Sequence, residues 1–234
     1  MSVEVFEVGG CVRDSLLGVS SKDIDYSCIA NSFEDLLAFV EMNEFKIVLI
    51  KPEYGTIRAI TPKTGFRGYT GVIDFVWARE EGPYSDGRRP DWTKPTDLLS
   101  DLRRRDFTVN AMARNSQGIL IDPFGGQVDL RNRELRAVGN AEDRIREDAL
   151  RALRAIRFAV TKQMHISHDI RQVLYSDWLP PLLSSVSVER IREELDKAFA
   201  FDTILTLDIF EGLSLEFKQA VFRSGLRLQP TLKQ

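Results

Sequence analysis

The stretch that most constrains this chain is residues 9–18, GGCVRDSLLG, followed closely by residues 22–26, KDIDY. The pattern predicts a strand over residues 3–8, a turn at the two glycines, a short helix, and a second strand that carries Asp23 and Asp25. Side chains alternate between the two faces of a strand. We therefore expect both carboxylates on one face.

Two neighbouring carboxylates indicate a bound cation, because like charges repel unless a cation lies between them. Mg²⁺ takes oxygen ligands, and two such ions about 3.5–4 Å apart can activate an attacking oxygen and hold a leaving one. Gly9 and Gly10 let the backbone approach an anion, toward which the following helix directs its free N–H groups. On its own the Asp-x-Asp pair fits a solvated loop or a helix cap equally well. The glycines before it and the arginines after it favour a metal-dependent phosphate site.

The same residues carry a family resemblance. The pattern G-G-x-V-R-D-x-L-L-G-x-x-x-x-D-x-D, residues 9–25, resembles the signature of class II tRNA nucleotidyltransferases. These are the CCA-adding enzymes and bacterial poly(A) polymerases of the polymerase β superfamily, and further similarity extends to about residue 200. The resemblance implies nucleotidyl transfer to an RNA 3′-hydroxyl with two Mg²⁺ ions. It also implies Asp23 and Asp25 as metal ligands and Arg13, with the two glycines, as a triphosphate contact.

A capped helix over residues 32–39 and three β-rich runs, residues 46–50, 56–60 and 72–77, follow the second strand. Strands around one or two helices indicate an α+β nucleotidyltransferase head with a small mixed sheet. Asp74 interrupts an apolar strand, where a lone carboxylate is costly unless it meets a cation or hydrogen-bond donors. The resemblance implies that it is the third acidic group of the site, as metal ligand or as base for the primer hydroxyl. The alternative is an edge strand with Asp74 facing water.

Two stretches in the middle of the chain continue the resemblance. Residues 84–90, YSDGRRP, resemble the family's loop between motifs A and B, whose presence favours complete CCA addition over addition of C alone. Residues 102–113, LRRRDFTVNAMA, resemble motif B, and forked arginine donors suit a triphosphate. A surface salt-bridge cluster is the alternative. The resemblance implies four nucleotide contacts here: Arg104, Arg105, Asp106 and Asn110.

The predicted domain boundary follows a paired-glycine turn. Residues 122–130, DPFGGQVDL, resemble motif C, the hinge between catalytic head and neck, and glycines relax the backbone there. We therefore expect a head over residues 1–138. Residues 139–234 are expected to form an all-α neck with a short C-terminal helical segment.

Apolar residues at helical spacing between residues 143 and 160 predict one helix with a buried stripe. Its opposite face carries Glu147, Asp148, Arg151 and Arg154. An Asp148–Arg151 pair is either an ordinary ion pair or a reader of base edges. In the second case Asp accepts from the amino group of cytosine or adenine and Arg donates to the ring nitrogen. This favours CTP and ATP and leaves buried groups unpaired with UTP or GTP. The sequence EDALR resembles motif D, and the resemblance implies the protein template for CTP and ATP.

The charge distribution and the cysteine content indicate the kind of binding partner and the cellular compartment. The net charge is −3, yet residues 101–160 hold twelve arginines, no lysine and nine acids. Such a bias suits contact with phosphates and bases. The absence of a bilayer-length apolar run and of a signal-peptide pattern, with only two cysteines, predicts a cytoplasmic protein. His165 and His168 are too few to build the usual zinc site with those cysteines.

A second helical stretch, residues 187–197, resembles motif E and is interpreted as structural. Beyond it we find no family motif, and we expect the few dozen residues that follow to be too few for the body and tail domains with which relatives grip tRNA. A homo-oligomer or a second chain is one expected replacement for that grip. Three interpretations follow: a compact CCA-adding enzyme that uses CTP and ATP on tRNA 3′ ends, an A-adding or poly(A)-forming transferase, and a catalytically idle RNA-binding module that needs a partner.

Overall fold

The computed structural model describes residues 3–21, 23–82, 92–226 and 228. These residues form two compact units, unit 1 up to residue 127 and unit 2 from residue 128 onward. The α+β class is confirmed, with a mixed sheet in unit 1 and mainly helices in unit 2. The predicted division near residue 138 stays a prediction. The loop predicted at residues 84–90 lies outside the described residues.

Unit 1 contains nine strands and three complete helices among its described residues. The strands are β1 Glu4–Val8, β2 Ile24–Ile29, β3 Lys46–Lys51, β4 Thr56–Ile60, β5 Val72–Trp77, β6 Arg79–Glu81, β7 Thr93–Pro95, β8 Ala113–Arg114 and β9 Leu120–Ile121. The helices are α1 Gly10–Leu16, α2 Phe33–Met42 and α3 Leu98–Arg103, and α4 Gly126–Asn132 begins at the end of the unit. Two 3₁₀ turns, Pro52–Tyr54 and Thr108–Asn110, complete it.

The main sheet has the order β3-β4-β5-β2-β1-β8-β9. Strands β2 and β5 are parallel, and the other neighbours are antiparallel. The β2–β5 register pairs Asp25 with Asp74 and Tyr26 with Phe75. Successive side chains alternate between faces, so one face carries the two carboxylates and the other carries the two aromatic rings. The edge-strand alternative for Asp74 is therefore wrong, because β5 lies between β4 and β2.

Helix α2 covers the aromatic face of this sheet. Ser32 caps it, as predicted, by accepting a 3.1 Å hydrogen bond from the N–H of Asp35. Leu36 and Val40 are fully buried in the same core as Tyr26. Burial of each such aliphatic side chain contributes roughly 1.5–3 kcal/mol. The hydrophobic contact fixes the sheet and leaves the opposite face for the carboxylates.

In its described residues, unit 2 is helical apart from one pair of two-residue parallel strands, β10 Glu134–Leu135 and β11 His165–Ile166. Its helices are α5 Ala141–Glu147, α6 Leu150–Thr161, α7 His168–Leu174, α8 Leu179–Ser185, α9 Val188–Phe201, α10 Thr203–Glu211 and α11 Leu215–Val221. Helices α6 and α9 pack on each other through buried apolar side chains, including Leu153 and Leu195. The predicted helix entered through Ser187 is confirmed as α9.

The single helix predicted between residues 143 and 160 is wrong in its continuity. The stripe is buried as expected, but the backbone is extended at Asp148 (φ −150°, ψ 103°), between α5 and α6. The side chain of Asp148 accepts a 3.1 Å hydrogen bond from the N–H of Leu150. Aspartate commonly competes with the helix in this way by bonding nearby backbone donors. Asp148 and Arg151 were predicted to be neighbours on the surface of one helix. Because of the break, Asp148 does not lie on that helix.

Candidate active site

Asp23 and Asp25 lie at the start of β2, on unit 1. Asp25 is half-buried within the strand, whereas Asp23 is exposed in the bend just before it and not in the strand as predicted. Burial raises the pKa of Asp25, and the carboxylates of Asp74 and Asp23 raise it further, while Arg105 acts in the opposite direction. The site thus concentrates negative charge at one point of the sheet.

The pair fits a divalent cation. Among the described residues, we find no hydrogen bond to the carboxylate of Asp23 or Asp25. A cation bound there would remove the repulsion between them, and carboxylate oxygens are the ligands that Mg²⁺ prefers. Within the same residues, no group of three or more His, Cys, Asp and Glu side chains is arranged to hold a metal. A metal at this pair would therefore take its other ligands from water or substrate, as Mg²⁺ commonly does.

Asp74 lies beside Asp25, as its predicted role requires, but it is already paired. Its Oδ1 accepts a 2.8 Å hydrogen bond from Nε of Arg58, and its Oδ2 accepts a 2.6 Å bond from Nη2. The β4–β5 register places Arg58 directly across from Asp74. Strands β2, β5 and β4 therefore bring Asp25, Asp74 and Arg58 into one row.

The two predicted glycines lie against the arginines. Gly9 has φ +74°, and a Cβ atom there would lie 2.9 Å from Nη1 of Arg105. A Cβ atom at Gly10 would lie 3.5 Å from Nη2 of Arg13. Position 9 therefore requires glycine for its backbone conformation, and the guanidinium of Arg105 lies directly against it. The sequence motifs around Gly9 and Arg105, almost a hundred residues apart, meet in unit 1.

The guanidinium groups of motif B are held by a buried aspartate, Asp101, which is 1% exposed. Its Oδ1 accepts from Nη2 of Arg104 at 2.6 Å, and its Oδ2 accepts from Nη2 of Arg105 at 3.2 Å. The hydroxyl of Ser27 also donates to Oδ2 at 3.0 Å. Burial works to raise the pKa of Asp101, but the two arginines outweigh it, so that this pKa is lowered. Asp101 therefore orients two predicted phosphate contacts.

Arg13, Asp106 and Asn110 form a second polar network in the interior. Nη1 of Arg13 donates to Oδ1 of Asn110 at 2.5 Å, and Nδ2 of Asn110 donates to Oδ1 of Asp106 at 3.0 Å. All three are buried, with Arg13 only 6% exposed and also paired with Asp14 at 2.8 Å. The structure thus brings these predicted residues together as a network that fixes the α1 end of the site. Their predicted contact with the nucleotide stays a prediction.

In unit 2, Glu147 and Asp148 each have an arginine partner. Nη1 of Arg151 donates to Oε2 of Glu147 at 2.7 Å, and Nη2 of Arg190 donates to Oδ2 of Asp148 at 2.7 Å. Oε2 of Glu147 also accepts from Nη1 of Arg144 at 2.7 Å. Glu147 therefore joins α5 to α6 through Arg151, and Asp148 joins the break between these helices to α9 through Arg190.

Arg154, the last predicted nucleotide contact, faces a buried glutamate of α9. Its Nη1 lies 3.6 Å from Oε1 of Glu194, a residue that is 5% exposed and that also pairs with Arg157. A buried carboxylate requires such partners, because an uncompensated charge in the interior is strongly destabilising. Arg154 therefore stabilises the packing of α6 on α9, and its predicted role toward a nucleotide stays a prediction.

Comparison with known proteins identifies the family. A family model described as "Poly A polymerase head domain" matches residues 5–136, more than half of the chain. The chain belongs to this family.

Three relatives extend the match of this head-domain chain beyond residue 136. The CCA-adding enzyme of Oceanobacillus iheyensis is 36% identical over 224 residues, which are 95% of this chain and 52% of that protein. The crystal structure of the Bacillus stearothermophilus CCA-adding enzyme in complex with CTP superposes with a TM-score of 0.74 at 31% identity, over 94% of this chain and 53% of that one. The structure of a tRNA nucleotidyltransferase complexed with a primer tRNA and an incoming ATP analog superposes with a TM-score of 0.73 at 27% identity, over 97% of this chain and 61% of that one. The chain spans about half the length of the curated relatives it matches.

The head-domain match covers the predicted residues of unit 1, from Gly9 to Asn110, and ends before Glu147. None of the helices in the described part of the chain has the length and apolar content that crossing a membrane requires.

Sequence reasoning missed two residues at the unit 1 site, Arg58 and Asp101, and one residue of unit 2, Arg190. Arg58 occupies an ordinary strand position, and its role depends on the register of three strands. Asp101 lies four residues before Arg105, a helical spacing at which opposite charges meet, so this signal was available. Arg190 lies in the motif E stretch, which was interpreted as having no chemistry of its own. Its contact with Asp148 depends on tertiary structure.

Proposed function

We propose that this chain is the catalytic part of a CCA-adding enzyme, which transfers C, C and A from CTP and ATP to the 3′ end of tRNA. One observation carries the proposal: Asp101 joins Ser27, on the same strand as Asp25, to Arg105, which lies against Gly9. The predicted triphosphate contacts and the predicted metal ligands therefore lie together on unit 1. The relatives named above, including one with CTP and one with tRNA and an ATP analog, support these substrates.

In this proposal Asp23 and Asp25 hold two Mg²⁺ ions. Bound there, the ions supply activation of the attacking 3′-hydroxyl and neutralise charge on the leaving phosphates. Arg104 and Arg105, oriented by Asp101, donate to the triphosphate, since forked donors match phosphate oxygens. Asp74 is the third acidic group of the site.

Arg13, with Asp106 and Asn110, keeps the turn at Gly9 and Gly10 in shape for the approach of an anion. A glycine at position 9 permits that approach because it has no Cβ atom and because it accepts a positive φ. The buried network holds this geometry before a nucleotide arrives, which reduces the entropy lost on binding. The proposed contribution of these residues is therefore preorganisation of the triphosphate site.

Base selection is assigned to unit 2. Asp148 accepts from the exocyclic amino group of cytosine or adenine and Arg151 donates to the ring nitrogen, while Glu147 and Arg154 support them. A uracil or guanine would present an acceptor to the carboxylate and leave polar groups unpaired, which costs roughly 1–3 kcal/mol for each buried group. The ion pairs of Glu147 with Arg151 and of Asp148 with Arg190 fix the directions of these side chains.

One observation favours a second candidate function. The description of the matching family model names poly(A) polymerase, so an A-adding or poly(A)-forming transferase of the same build is the alternative. Both candidates use the same metal pair and triphosphate contacts. They differ in whether C is incorporated and in where addition stops. A cytoplasmic location is part of either proposal, supported by two buried cysteines that are not joined by a disulfide.

A primer-extension assay tests the proposal. Transcripts of tRNA that end at the discriminator base, at C or at CC are incubated with Mg²⁺ and each nucleoside triphosphate, alone and mixed. Addition of C, C and A followed by arrest supports CCA addition. Addition of A alone to the CC primer, or an unlimited A run, supports the alternative.

Asp23→Asn and Asp25→Asn serve as inactive controls in that assay. If a folded wild-type chain extends none of the primers, the proposal that this chain transfers nucleotides by itself is wrong. Sedimentation with and without tRNA then distinguishes an idle RNA-binding module from a chain that requires an oligomer or a second protein.

A further inference from the structure

Arg58 is a cation that already lies at the predicted metal site. Its guanidinium engages both oxygens of Asp74 in a bidentate pair, the strongest common geometry between these groups. The Asp74 side chain is 16% exposed, whereas that of Arg58 is 48% exposed. The guanidinium thus covers the solvent side of Asp74.

The strand register makes this pair part of the site. Asp25 and Asp74 are direct neighbours on parallel strands, and Arg58 is the direct neighbour of Asp74 on the next strand. All three side chains therefore leave the same face of the sheet. Hydrogen bonding to Asp74 raises the pKa of Arg58, with smaller contributions from the charges of Asp23 and Asp25.

Charge balance gives the pair a consequence for metal binding. Without Arg58, the carboxylates of Asp23, Asp25 and Asp74 would carry a formal charge of −3 in this part of unit 1, and all three would compete for a divalent cation. With Arg58, the charge of Asp74 is neutralised and its lone pairs toward the guanidinium are occupied. Asp23 and Asp25 remain as the carboxylates that are available to a divalent cation. The described residues accordingly contain no group of three acidic or other ligands arranged for a metal.

We propose that Arg58 is a positioning residue that reserves Asp23 and Asp25 for the metal and makes Asp74 its anchor, not a metal ligand or a base. The proposal rests on the proposed function for the identity of the metal site. It requires Asp74 only as a counter-charge for Arg58, so that replacing both residues by neutral ones leaves the metal site intact. If Asp74 were a metal ligand, replacing both residues would instead weaken metal binding.

Mn²⁺ binding, measured by electron paramagnetic resonance of the free ion, tests this without reference to activity. Four proteins are compared: wild type, Arg58→Met, Asp74→Asn and the double variant. We expect Arg58→Met to bind Mn²⁺ on the order of tenfold more tightly, because a negative charge is exposed, and Asp74→Asn on the order of tenfold more weakly, because the guanidinium is left uncompensated. The double variant is expected within about threefold of wild type.

Arg114→Met is the matched control. It removes an arginine from the same sheet that pairs with Glu7, which lies across from Tyr26 and so on the face opposite Asp25. Its Mn²⁺ affinity should equal that of wild type. Circular dichroism melting checks the fold of each variant, and the double variant, which buries no unpaired charge, covers the case in which Arg58→Met does not fold.

A double variant that binds Mn²⁺ more than about tenfold more weakly than wild type overturns the inference, because Asp74 would then be a ligand. Absence of Mn²⁺ binding by wild type at millimolar concentration overturns both the inference and the metal site of the proposed function. If the four proteins show the expected Mn²⁺ affinities but wild type transfers no nucleotide, the inference about Arg58 is supported. Only the proposed function is then contradicted.

Discussion

Nη2 of Arg190 donates a 2.7 Å hydrogen bond to Oδ2 of Asp148, a residue 42 positions earlier in the chain. Asp148 lies in extended backbone at the break between α5 and α6, so no helix fixes the direction of its side chain. The contact with Arg190 on α9 and the bond from the N–H of Leu150 fix it instead. The orientation of the proposed base-selecting carboxylate therefore depends on a helix that sequence analysis interpreted as structural.

The substitution Arg190→Met is expected to relax base selection. Without its partner, Asp148 can rotate, and the penalty against uracil and guanine falls because their groups are no longer held against a fixed acceptor. We expect incorporation of UTP or GTP, relative to CTP, to rise about tenfold, which corresponds to roughly 1.4 kcal/mol. Single-nucleotide primer extension measures the ratio. Asp148→Ala and Arg151→Ala should relax selection at least as much.

Arg192→Met is the control for that experiment. Arg192 lies on the same helix, and its side chain donates to the carbonyl of Gly225 at 3.3 Å. Its removal changes the charge of α9 equally but leaves the Arg190–Asp148 pair in place, so selection should stay as in wild type. If Asp148→Ala changes selection and Arg190→Met does not, the positioning role of Arg190 is wrong.

The substitution Asp25→Asn is expected to separate activity from stability. Removing this proposed metal ligand should lower transfer by on the order of a thousandfold, as loss of a transition-state stabiliser does. Burial and the neighbouring carboxylates disfavour the charged form of Asp25 in the folded protein, which is why its pKa is raised. The neutral amide removes that penalty. In the presence of EDTA at pH 7, the free energy of unfolding should therefore rise by about 0.5–2 kcal/mol.

Urea unfolding and primer extension on the same preparations measure both effects. Asp35→Asn, an exchange of the same type in the first turn of α2, serves as the control. It should leave transfer unchanged and should not stabilise the protein. An Asp25→Asn protein that is less stable than wild type and equally active would contradict the assignment of Asp25.

Local patterns predicted most of unit 1 because its elements depend on nearby residues. Strands β3, β4 and β5 follow apolar runs, and Ser32 caps α2 as its sequence indicates. The carboxylates at Asp25 and Asp74 were expected together from the family resemblance, and the parallel register brings them side by side. The partner of Asp74 was not predictable, because Arg58 reaches it only through a third strand.

Unit 2 shows where spacing alone fails. The apolar stripe from Ile145 to Val160 was predicted correctly as buried, yet it belongs to two helices. Hydrophobic spacing indicates which side chains face the core. It does not indicate whether a single residue of extended backbone interrupts the helix. The signal for the break was Asp148 itself, since aspartate favours positions at which its carboxylate bonds a backbone N–H just ahead.

The substitution Asp101→Asn is expected to weaken triphosphate binding. The carboxylate of Asp101 holds Arg104 and Arg105 at 2.6 and 3.2 Å, and an amide retains the shape but loses the charge that aligns both guanidinium groups. We expect the KM for CTP and ATP to rise about tenfold, with kcat changed less, because the arginines contact the triphosphate before the reaction. Steady-state extension of a CC-ended primer by ATP measures the two constants.

Stability of the same variant should depend on pH in a defined direction. The pKa of Asp101 is lowered in the folded protein, so its charged form stabilises the fold above the pKa of the unfolded chain. That contribution is lost as the pH falls below about 4 and passes through the lowered pKa. The free energy of unfolding of wild type should exceed that of Asp101→Asn by about 1–3 kcal/mol at pH 7. The difference should become progressively smaller below pH 4. A constant difference over that range would show that the arginines do not stabilise the carboxylate.

The substitution Gly126→Ala is expected to destabilise unit 1 for reasons of space. A Cβ atom at Gly126 would lie 2.3 Å from the carbonyl oxygen of Thr108 and 3.0 Å from Cγ of the buried Met112. The turn is also held in place, because the carboxylate of Asp122 accepts the N–H of Gly126 at 2.7 Å. Gly126 thus fixes the paired-glycine turn against motif B, where the sequence predicted a hinge.

We expect Gly126→Ala to lower the free energy of unfolding by about 1–3 kcal/mol, as overpacking does. Gly118→Ala is the matched comparison, because Gly118 has φ +79° and a Cβ atom there would meet no atom within 4 Å. It should lose only the conformational part, about 1 kcal/mol. Urea unfolding of both variants measures the difference. Equal losses would show that contact with Thr108 does not require glycine at position 126.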